Sequence, residues 1–375
     1  MAPPFRSYVL VSLAQIAHNY RNVRDAVGAD VEVMAVVKAD AYGHGALAVS
    51  RALIGEGAQW LAVSSVDEGV ALRASGIAAR ILVMAGFLPQ EREALVEYDL
   101  TPTAHSLADV AELDRMAGRA RRPLAFHLKI DSGMGRLGTR ARPEEIVAAL
   151  SRMRYARVEG LMTHFASAAD FTSPQTAEQL DRFNGCYTAL CQAGIRPDFV
   201  HTSSTNAIGY SRRDAWYNMV RAGHALYGYL SPPRGAGPQP ILHVQPALTW
   251  KAKILAVKEI PEGALVGYGG TFRAPAAMRI AVLGAGYADG VFHRLSNRGK
   301  VIAAGQIVPI LGTISMDLTT IDISHAPELQ PGDDVTLLGA EGGARLDAQQ
   351  IARTAGTISY NILSSISARV RRVYV

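Results

Sequence analysis

Residues 158–201 read VEGLMTHFASAADFTSPQTAEQLDRFNGCYTALCQAGIRPDFVH. A short apolar run, Val158 to Met162, is followed by a helical pattern over Thr176 to Ala193 and a second short run, Phe199 to His201. Short apolar runs bounded by turn residues read as buried strands, and strand, amphipathic helix, strand is the parallel βα unit. The same unit recurs upstream, with runs at Val33 to Val37, Trp60 to Val63, Ile81 to Met84 and Leu124 to Ile130, and helical stretches at Val66 to Ala74 and Pro143 to Arg152. Alternation sustained from Val31 to about Tyr229 favours a closed (β/α)8 TIM-like barrel over an open sheet.

The pattern changes after Ser231-Pro-Pro-Arg-Gly-Ala-Gly-Pro-Gln-Pro240. Beyond this break the runs are β-rich with turn residues between them: Ala247 to Val257, Arg279 to Leu283, Lys300 to Ile310, Leu318 to Ile323 and Asp334 to Leu338. They predict a C-terminal all-β domain. Near the start, Tyr8 to Ala17 is mostly apolar, but His18-Asn19-Tyr20-Arg21 offers no small-residue cleavage site, so a strand running into a helix is expected rather than a signal peptide. The expected division is residues 1–9 as an N-terminal strand packing with the β domain, 10–240 as the barrel, and 241–375 as the β domain. No run reaches about 18 apolar residues, so no membrane span is expected.

Composition narrows the function classes. The 375 residues carry 38 Lys+Arg against 33 Asp+Glu, a net charge of +5, with 19% charged and 49% hydrophobic residues and two cysteines. This excludes a disordered chain, a collagen-like repeat and a disulfide scaffold. The basic residues are scattered, and the one tight group, Arg119, Arg121 and Arg122, reads as a solvated helix end, so no nucleic-acid partner is expected. Cys186 and Cys191 lie five apart and do not share a helical face; reduced thiols in a cytoplasmic protein fit this spacing.

Barrel chemistry sits at the C-terminal ends of the strands. The run ending Val36-Val37-Lys38-Ala-Asp-Ala-Tyr42-Gly-His-Gly45 sets a lysine where strand meets mouth. A lysine beside apolar residues loses its proton readily, and the neutral amine forms a Schiff base; a surface lysine at a loop start is the competing reading. In His127-Leu-Lys129-Ile-Asp131-Ser-Gly-Met-Gly-Arg136-Leu-Gly138, alternation puts His127, Lys129 and Asp131 on one face, and the glycines permit a tight loop carrying Arg136. Thr163-His164-Phe165 and His201-Thr202-Ser203-Ser204-Thr205-Asn206 come next in the chain. His127, His164 and His201 recur every 37 residues, which raises a rival class, a metal-dependent barrel hydrolase with a carboxylated lysine. The first strand offers no His-x-His pair and no carboxylate beyond Asp40, so no metal is expected. Gly284-Ala-Gly286-Tyr-Ala-Asp-Gly290 misses the dinucleotide spacing by one residue and reads as a turn.

With these residues assembled, the chain closely resembles the alanine racemases, pyridoxal-phosphate enzymes with an N-terminal barrel and a C-terminal β domain. The resemblance rests on Val36 to Gly45, Lys129 to Gly138, Arg221-Ala-Gly-His-Ala-Leu-Tyr-Gly228, Val266-Gly-Tyr268-Gly, Gly286-Tyr287-Ala-Asp-Gly290, Ile314-Ser-Met316-Asp317 and Tyr360, in family order over nearly the whole chain. It implies that Lys38 holds pyridoxal 5'-phosphate as an internal aldimine and serves as one base. Racemisation removes a proton from one face and returns one to the other, and the family's second base maps to Tyr268, contributed by the partner of a head-to-tail homodimer. A phenol titrates at about 10 and needs a cationic neighbourhood to act near neutrality, for which His164 and Arg221 match the family positions.

The resemblance further sets Arg221 against the pyridine nitrogen, where a guanidinium keeps its protons. Arg136 and the amide of Met316 match the residues meeting the substrate carboxylate, and Lys129 the family's carbamylated lysine. Tyr42, Tyr360, Thr205 and the amides of Gly223 and His224 match the phosphate contacts, with Tyr287 and Asp317 in supporting positions. The implied activity is interconversion of L- and D-alanine, supplying D-alanine for peptidoglycan. Departures from the family pattern fall at Ser204-Thr205, Ala222, His224 and Thr313. Two further readings are a racemase of broader specificity, acting on serine or another small amino acid, and a cofactor-binding protein without turnover. Tyr268 argues against the latter, since cofactor retention gives no reason for an opposed base.

Overall fold

A computed structural model describes residues 4–375, which fall into two compact units. One unit comprises Ile16–Ala41 and Ala46–Gln245; the other takes in the chain up to Gln15, Tyr42–Gly45 and Pro246–Val375.

The first unit is the barrel. Its eight strands run, in spatial order, Phe199–His201, Ala156–Met162, Leu124–Lys129, Thr101–Ala104, Arg80–Val83, Trp60–Val63, Glu32–Val36 and Met219–Ala222, with every neighbouring pair parallel. The ends of that order meet where Arg221 N–H donates to Ser203 O at 3.0 Å, beside a parallel bridge between Ser204 and Arg221. Parallel strands are covered on both faces, which is why they read as unbroken apolar runs; Trp60–Val63 is buried throughout. Pairing sets Thr103 beside His127, His127 beside Gly160, and Met162 beside His201. Interior side chains are thereby stacked at defined heights.

The helices Val66–Ala74, Pro143–Ser151 and Gln175–Gln192 lie where the sequence periodicity puts them. Two strands do not announce themselves as apolar runs. Thr101–Ala104 reads Thr-Pro-Thr-Ala, and Met219–Ala222 carries Arg221 in its middle; both are fully buried, because neighbouring pairs rather than their own hydrophobicity hold them.

The second unit is mostly β. Its sheet runs Ala344–Leu346, Asp334–Glu341, Lys300–Ala303, Gln306–Leu311, Thr319–Asp322, Met278–Leu283, Leu248–Ile260, Ser7–Val11 and Arg371–Tyr374, and Asp334–Glu341 also pairs with Leu248–Ile260. Leu248–Ile260 serves three partners, Ser7–Val11, Met278–Leu283 and Asp334–Glu341, by bending at register shifts between Trp250 and Lys251 and between Ile254 and Ala256. The single run Lys300 to Ile310 is in fact a hairpin: Ala304 (φ 48) and Gly305 (φ 74) form the tight turn between its halves. Two helices, Ala348–Ala355 and Ser359–Ser364, add to the strands read from sequence. The first is set by Asp347, whose carboxylate accepts from the Gln349 and Gln350 amides at 2.9 Å, while Gln350 accepts from Asp347 N–H at 2.7 Å.

Cys186 and Cys191 are free thiols on the helix Gln175–Gln192. Among the described residues, no helix is long and apolar enough to cross a membrane. Replacing Asp347 by alanine removes both amide acceptors of the Ala348–Ala355 cap and is expected to cost about 1 kcal/mol. A lower urea midpoint measures it; an unchanged midpoint contradicts the capping account.

Candidate active site

The strand Glu32–Val36 ends two residues before Lys38, and the backbone just beyond that lysine is unusual. Ala39, Asp40 and Ala41 all have φ 52 and Tyr42 has φ 54, a left-handed turn built from non-glycine residues. Each such residue costs about 1–2 kcal/mol, so the turn persists only where its surroundings impose it. Ala41 N–H bonds Val37 O at 2.8 Å, Asp40 Oδ1 accepts from Ala46 N–H at 2.7 Å, and Tyr227 Oη donates to Val36 O at 2.9 Å. Glu68 does most of the clamping. Its two carboxylate oxygens accept from the Ala39 and Ser64 amides, each at 2.6 Å.

Lys38 is half-buried at the head of this turn. Burial lowers its pKa first, and the charge of Arg136 adds to that, with Glu68 in partial opposition. Strand-end position, strained support and an amine biased toward its neutral form coincide at one residue.

Arg221 is the most heavily bonded side chain of the barrel interior, at 2% exposure. Its Nη1 donates to His201 Nδ1 at 2.7 Å and His201 O at 2.8 Å; its Nη2 donates to Thr163 O at 2.7 Å and Thr202 O at 3.0 Å, with His164 Nδ1 alongside at 3.3 Å. A guanidinium has five N–H donors. Nε–H is the one without a partner among the described residues. Burial pushes Arg221 down to about 9, still above neutrality, so the charge stays. Burial, and after it the same charge, holds His164 well below the ordinary histidine range, so this imidazole is neutral at pH 7.

Asp131 builds the loop that carries Arg136. Its Oδ1 accepts from the amides of Gly133, Met134 and Gly135 at 3.2, 3.0 and 3.0 Å, and Oδ2 from Arg140 Nε at 2.7 Å. Gly138, at φ 116, brings Asp131 N within 2.6 Å of where a Cβ would sit, so the loop closes only on glycine. Arg136 projects exposed from it. Lys129 below is 5% exposed, and burial, then Arg221 and Arg136, push it down to about 8 against the pull of Asp131. Lys38, Lys129, Arg136 and Arg221 thus act on one another as like charges.

Thr205 Oγ1 accepts from the amides of Gly223 and Ala225, both at 3.2 Å, which brings the Ser204-Thr205 segment and the Gly223–Ala225 turn together. His224 is buried and stacks on Tyr229 at 5.1 Å between ring centres.

The remaining residues belong to the second unit. Tyr42 and Tyr360 bring their rings to 6.0 Å, and burial, then Tyr360, raise the Tyr42 hydroxyl. Gly286 lets two motif segments meet: a Cβ there would fall 2.4 Å from both Ser315 O and Met316 O, while Tyr287 N–H and Ala288 N–H donate to those carbonyls at 3.1 and 2.9 Å. Arg369 links Asp317 at 2.6 Å to Asp289 at 3.4 Å. Tyr268 is 75% exposed, on a turn opened by Gly267 at φ 76. Thr313, one of the departures from the family pattern, donates to Tyr268 O at 3.0 Å and lies 3.1 Å from Thr271 Oγ1. It holds the tyrosine's backbone.

Glu68, Glu159 and Arg369 were not among the residues singled out from sequence. Glu68 had a signal, standing three after Ser65 ahead of a helix, but that pattern points to a capping box rather than to a clamp on Ala39. Glu159, a carboxylate inside the run Val158 to Met162, is 3% exposed and was legible as a buried charge needing partners. Among the described residues no group of three or more His, Cys, Asp or Glu side chains is arranged to hold a metal ion, and His164 and His201 both face a guanidinium.

The parallel barrel thus carries a strand-end lysine biased toward its neutral form, with Lys129, Arg136 and Arg221 acting on the same group of residues as like charges. Family models for the alanine racemase N-terminal and C-terminal domains match residues 11–231 and 247–374. An alanine racemase of Carboxydothermus hydrogenoformans is 40% identical over 365 residues, 97% of this chain and 98% of that one. The crystal structure of alanine racemase from Bacillus anthracis with bound L-Ala-P superposes with a TM-score of 0.90 at 33% identity, covering 100% of this chain and 96% of the other. One from Bartonella henselae with covalently bound pyridoxal phosphate gives 0.87 at 27% identity, covering 99% and 100%. The chain belongs to the alanine racemase family.

Replacing Glu68 by alanine is expected to speed amide hydrogen exchange at Ala39 and Ser64 by an order of magnitude or more, since charge-assisted bonds contribute about 1.5–3 kcal/mol each. Unchanged exchange at both amides contradicts the clamp.

Proposed function

We propose that this chain interconverts L- and D-alanine with pyridoxal 5'-phosphate, as a cytoplasmic source of D-alanine for peptidoglycan. The observation that carries the reading is the grouping around Lys38: a strand-end amine with lowered pKa, together with Lys129, Arg136 and Arg221, the last a buried guanidinium with one open donor. These residues fit the cofactor's chemistry, since an anionic phosphate and phenolate relieve the mutual repulsion of the cations, and Nε–H of Arg221 offers a ring nitrogen a donor. When bound, pyridoxal phosphate supplies an aldehyde that condenses with amines and a ring that spreads the electron pair left at Cα when its proton departs.

Lys38 Nζ is the base for one face of Cα and Tyr268 Oη the base for the other. Arg221 holds its proton, so it stabilises charge without protonating its partner. Thr205, Gly223 and His224 are assigned to the phosphate, as are Tyr42 and Tyr360; Arg136 and the Met316 amide are assigned to the substrate carboxylate. Tyr287 and Asp317 support the loop bearing Met316. Residues 10–240 carry the cofactor lysine and 241–375 the tyrosine base.

Tyr268, Leu265, Tyr287 and Met316, all in the same unit, are exposed apolar or aromatic side chains at 75, 58, 44 and 54% exposure, of the kind a second copy of the chain would cover. We assign them to a homodimer in which each copy lends Tyr268 to the other's Lys38.

Lys129, at about 8, leaves roughly a tenth of its amine neutral at pH 7. That neutral fraction is what adds to carbon dioxide, and the carbamate formed would place an anion beside Arg136.

Lys38→Ala is expected to abolish both the visible cofactor band and racemisation. Tyr268→Phe should keep the band and lose about 10²–10⁴ in kcat in both directions, the range for a positioned acid–base group. A colourless wild type, or an unaffected Tyr268→Phe variant, contradicts the assignment. Intact-mass measurement at rising bicarbonate should show a carbamate adduct whose occupancy grows with pH through 8 and disappears in Lys129→Ala; an adduct that survives that substitution places it elsewhere.

A further inference from the structure

Behind Arg221 a line of polar contacts continues through the barrel. His201 Nε2 lies 2.8 Å from His127 Nδ1, and His127 Nε2, buried with no hydrogen-bond partner among the described residues, faces the Glu159 Oε2 charge at 3.8 Å. Strand register orders them: Glu159 precedes Gly160, which pairs with His127, and Met162 two residues on pairs with His201. A Cβ on Gly160 would fall 2.4 Å from the His127 ring, so the position next to Glu159 is kept clear for that imidazole. Glu159 is itself fixed by Arg157 at 2.9 Å and by a close contact with Arg80, whose guanidinium lies 3.9 Å over the Trp60 ring.

The two ends of the chain set the direction of its protons. A guanidinium donates and never accepts, so His201 Nδ1 is the bare nitrogen. Neutral His201 then carries its proton on Nε2, which obliges His127 Nδ1 to accept. His127 in turn carries its proton on Nε2, toward the carboxylate. Burial holds both imidazoles below the ordinary histidine range; it opposes the ionised form of Glu159 too, but His127 and Arg80 outweigh it and hold that carboxyl below its usual range. Reversing the chain would set His201 Nδ1–H against Arg221 Nη1–H at 2.7 Å, and the bare His127 Nε2 against a carboxylate. Each end adds to the cost of reversal, so that losing the carboxylate lowers it.

We propose that Glu159 is a positioning residue for the reaction, fixing through His127 and His201 the proton direction that holds the Arg221 guanidinium and aims its open Nε–H. This rests on the assignment of Arg221 as the donor to the cofactor's ring nitrogen. Glu159 touches no reacting atom and acts only through the two histidines.

The test is ¹⁵N NMR of histidine-labelled protein, with and without cofactor, together with racemisation kinetics, for wild type, Glu159→Gln and Glu159→Leu; His127→Gln and His201→Gln supply the assignments. Wild type is expected to show both histidines as neutral Nε2–H tautomers in either form. Glu159→Leu is expected to populate Nδ1–H tautomers and to lower kcat about ten-fold or more, the scale for outer-shell partners, with KM little changed. Glu159→Gln keeps an acceptor oxygen and should recover most of both. An Nδ1–H or protonated histidine in wild type overturns the proposal, as does a Glu159→Leu variant with unaltered tautomers and kcat. Should the leucine variant fail to fold, the wild-type tautomers and the glutamine variant decide, since a Gln variant with reversed tautomers and undiminished kcat overturns it equally. A wild type with the expected tautomers but no cofactor band fails the functional reading instead, because the tautomers are read without cofactor.

Discussion

Much of the barrel's interior is arranged around one buried guanidinium. Arg221 lies on the strand that closes the barrel, its own amide makes the closing bond to Ser203 O, and its side chain gathers three carbonyls and a histidine from neighbouring strands. A charge taken out of water is tolerated only where its donors are met, and four of the five are met here by fixed groups. The fifth, Nε–H, has no partner among the described residues. That single constraint explains why the barrel core contains polar residues where periodicity alone calls for apolar ones, and the Arg221 charge adds to the burial that holds His164 and His201 below the ordinary histidine range.

The second organising feature is an excess of positive charge. Lys38, Lys129, Arg136 and Arg221 depress one another's proton affinity or that of their neighbours, and the carboxylates nearby are spent on backbone: Asp131 on its glycine loop, Asp40 on Ala46, Glu68 on Ala39 and Ser64. In the proposed function, anions brought from outside complete this site. The formal +5 of the chain therefore reads less as a surface property than as a site property for at least these four residues.

The same physics decides which elements were legible in the sequence. Trp60–Val63 and Val66–Ala74 were readable to the residue, because a doubly covered strand and an amphipathic helix each have one period and one pattern. Thr101–Ala104 and Met219–Ala222 were not, because their place is set by neighbours and by the buried Arg221. The Lys38, Lys129–Gly138 and Tyr268 segments could be named from motif and residue type, yet the left-handed turn at Ala39–Tyr42 could not, since nothing in Ala-Asp-Ala-Tyr favours positive φ; Glu68, 29 residues on, imposes it. Thr313, legible in the sequence only as a departure from the family pattern, binds the Tyr268 carbonyl. The three histidines suggested a metal site from spacing alone; with a guanidinium at one end and a carboxylate at the other, two of them form a proton-ordered chain.

The central claim is that protons leave and arrive on opposite faces of Cα by two different groups. Racemising L-alanine in D₂O and tracking Cα hydrogen in both enantiomers at early turnover tests it most directly. Two bases predict D-alanine that carries solvent deuterium from the first turnovers. D-alanine that retains the substrate's protium would mean one base serving both faces, and would contradict the account.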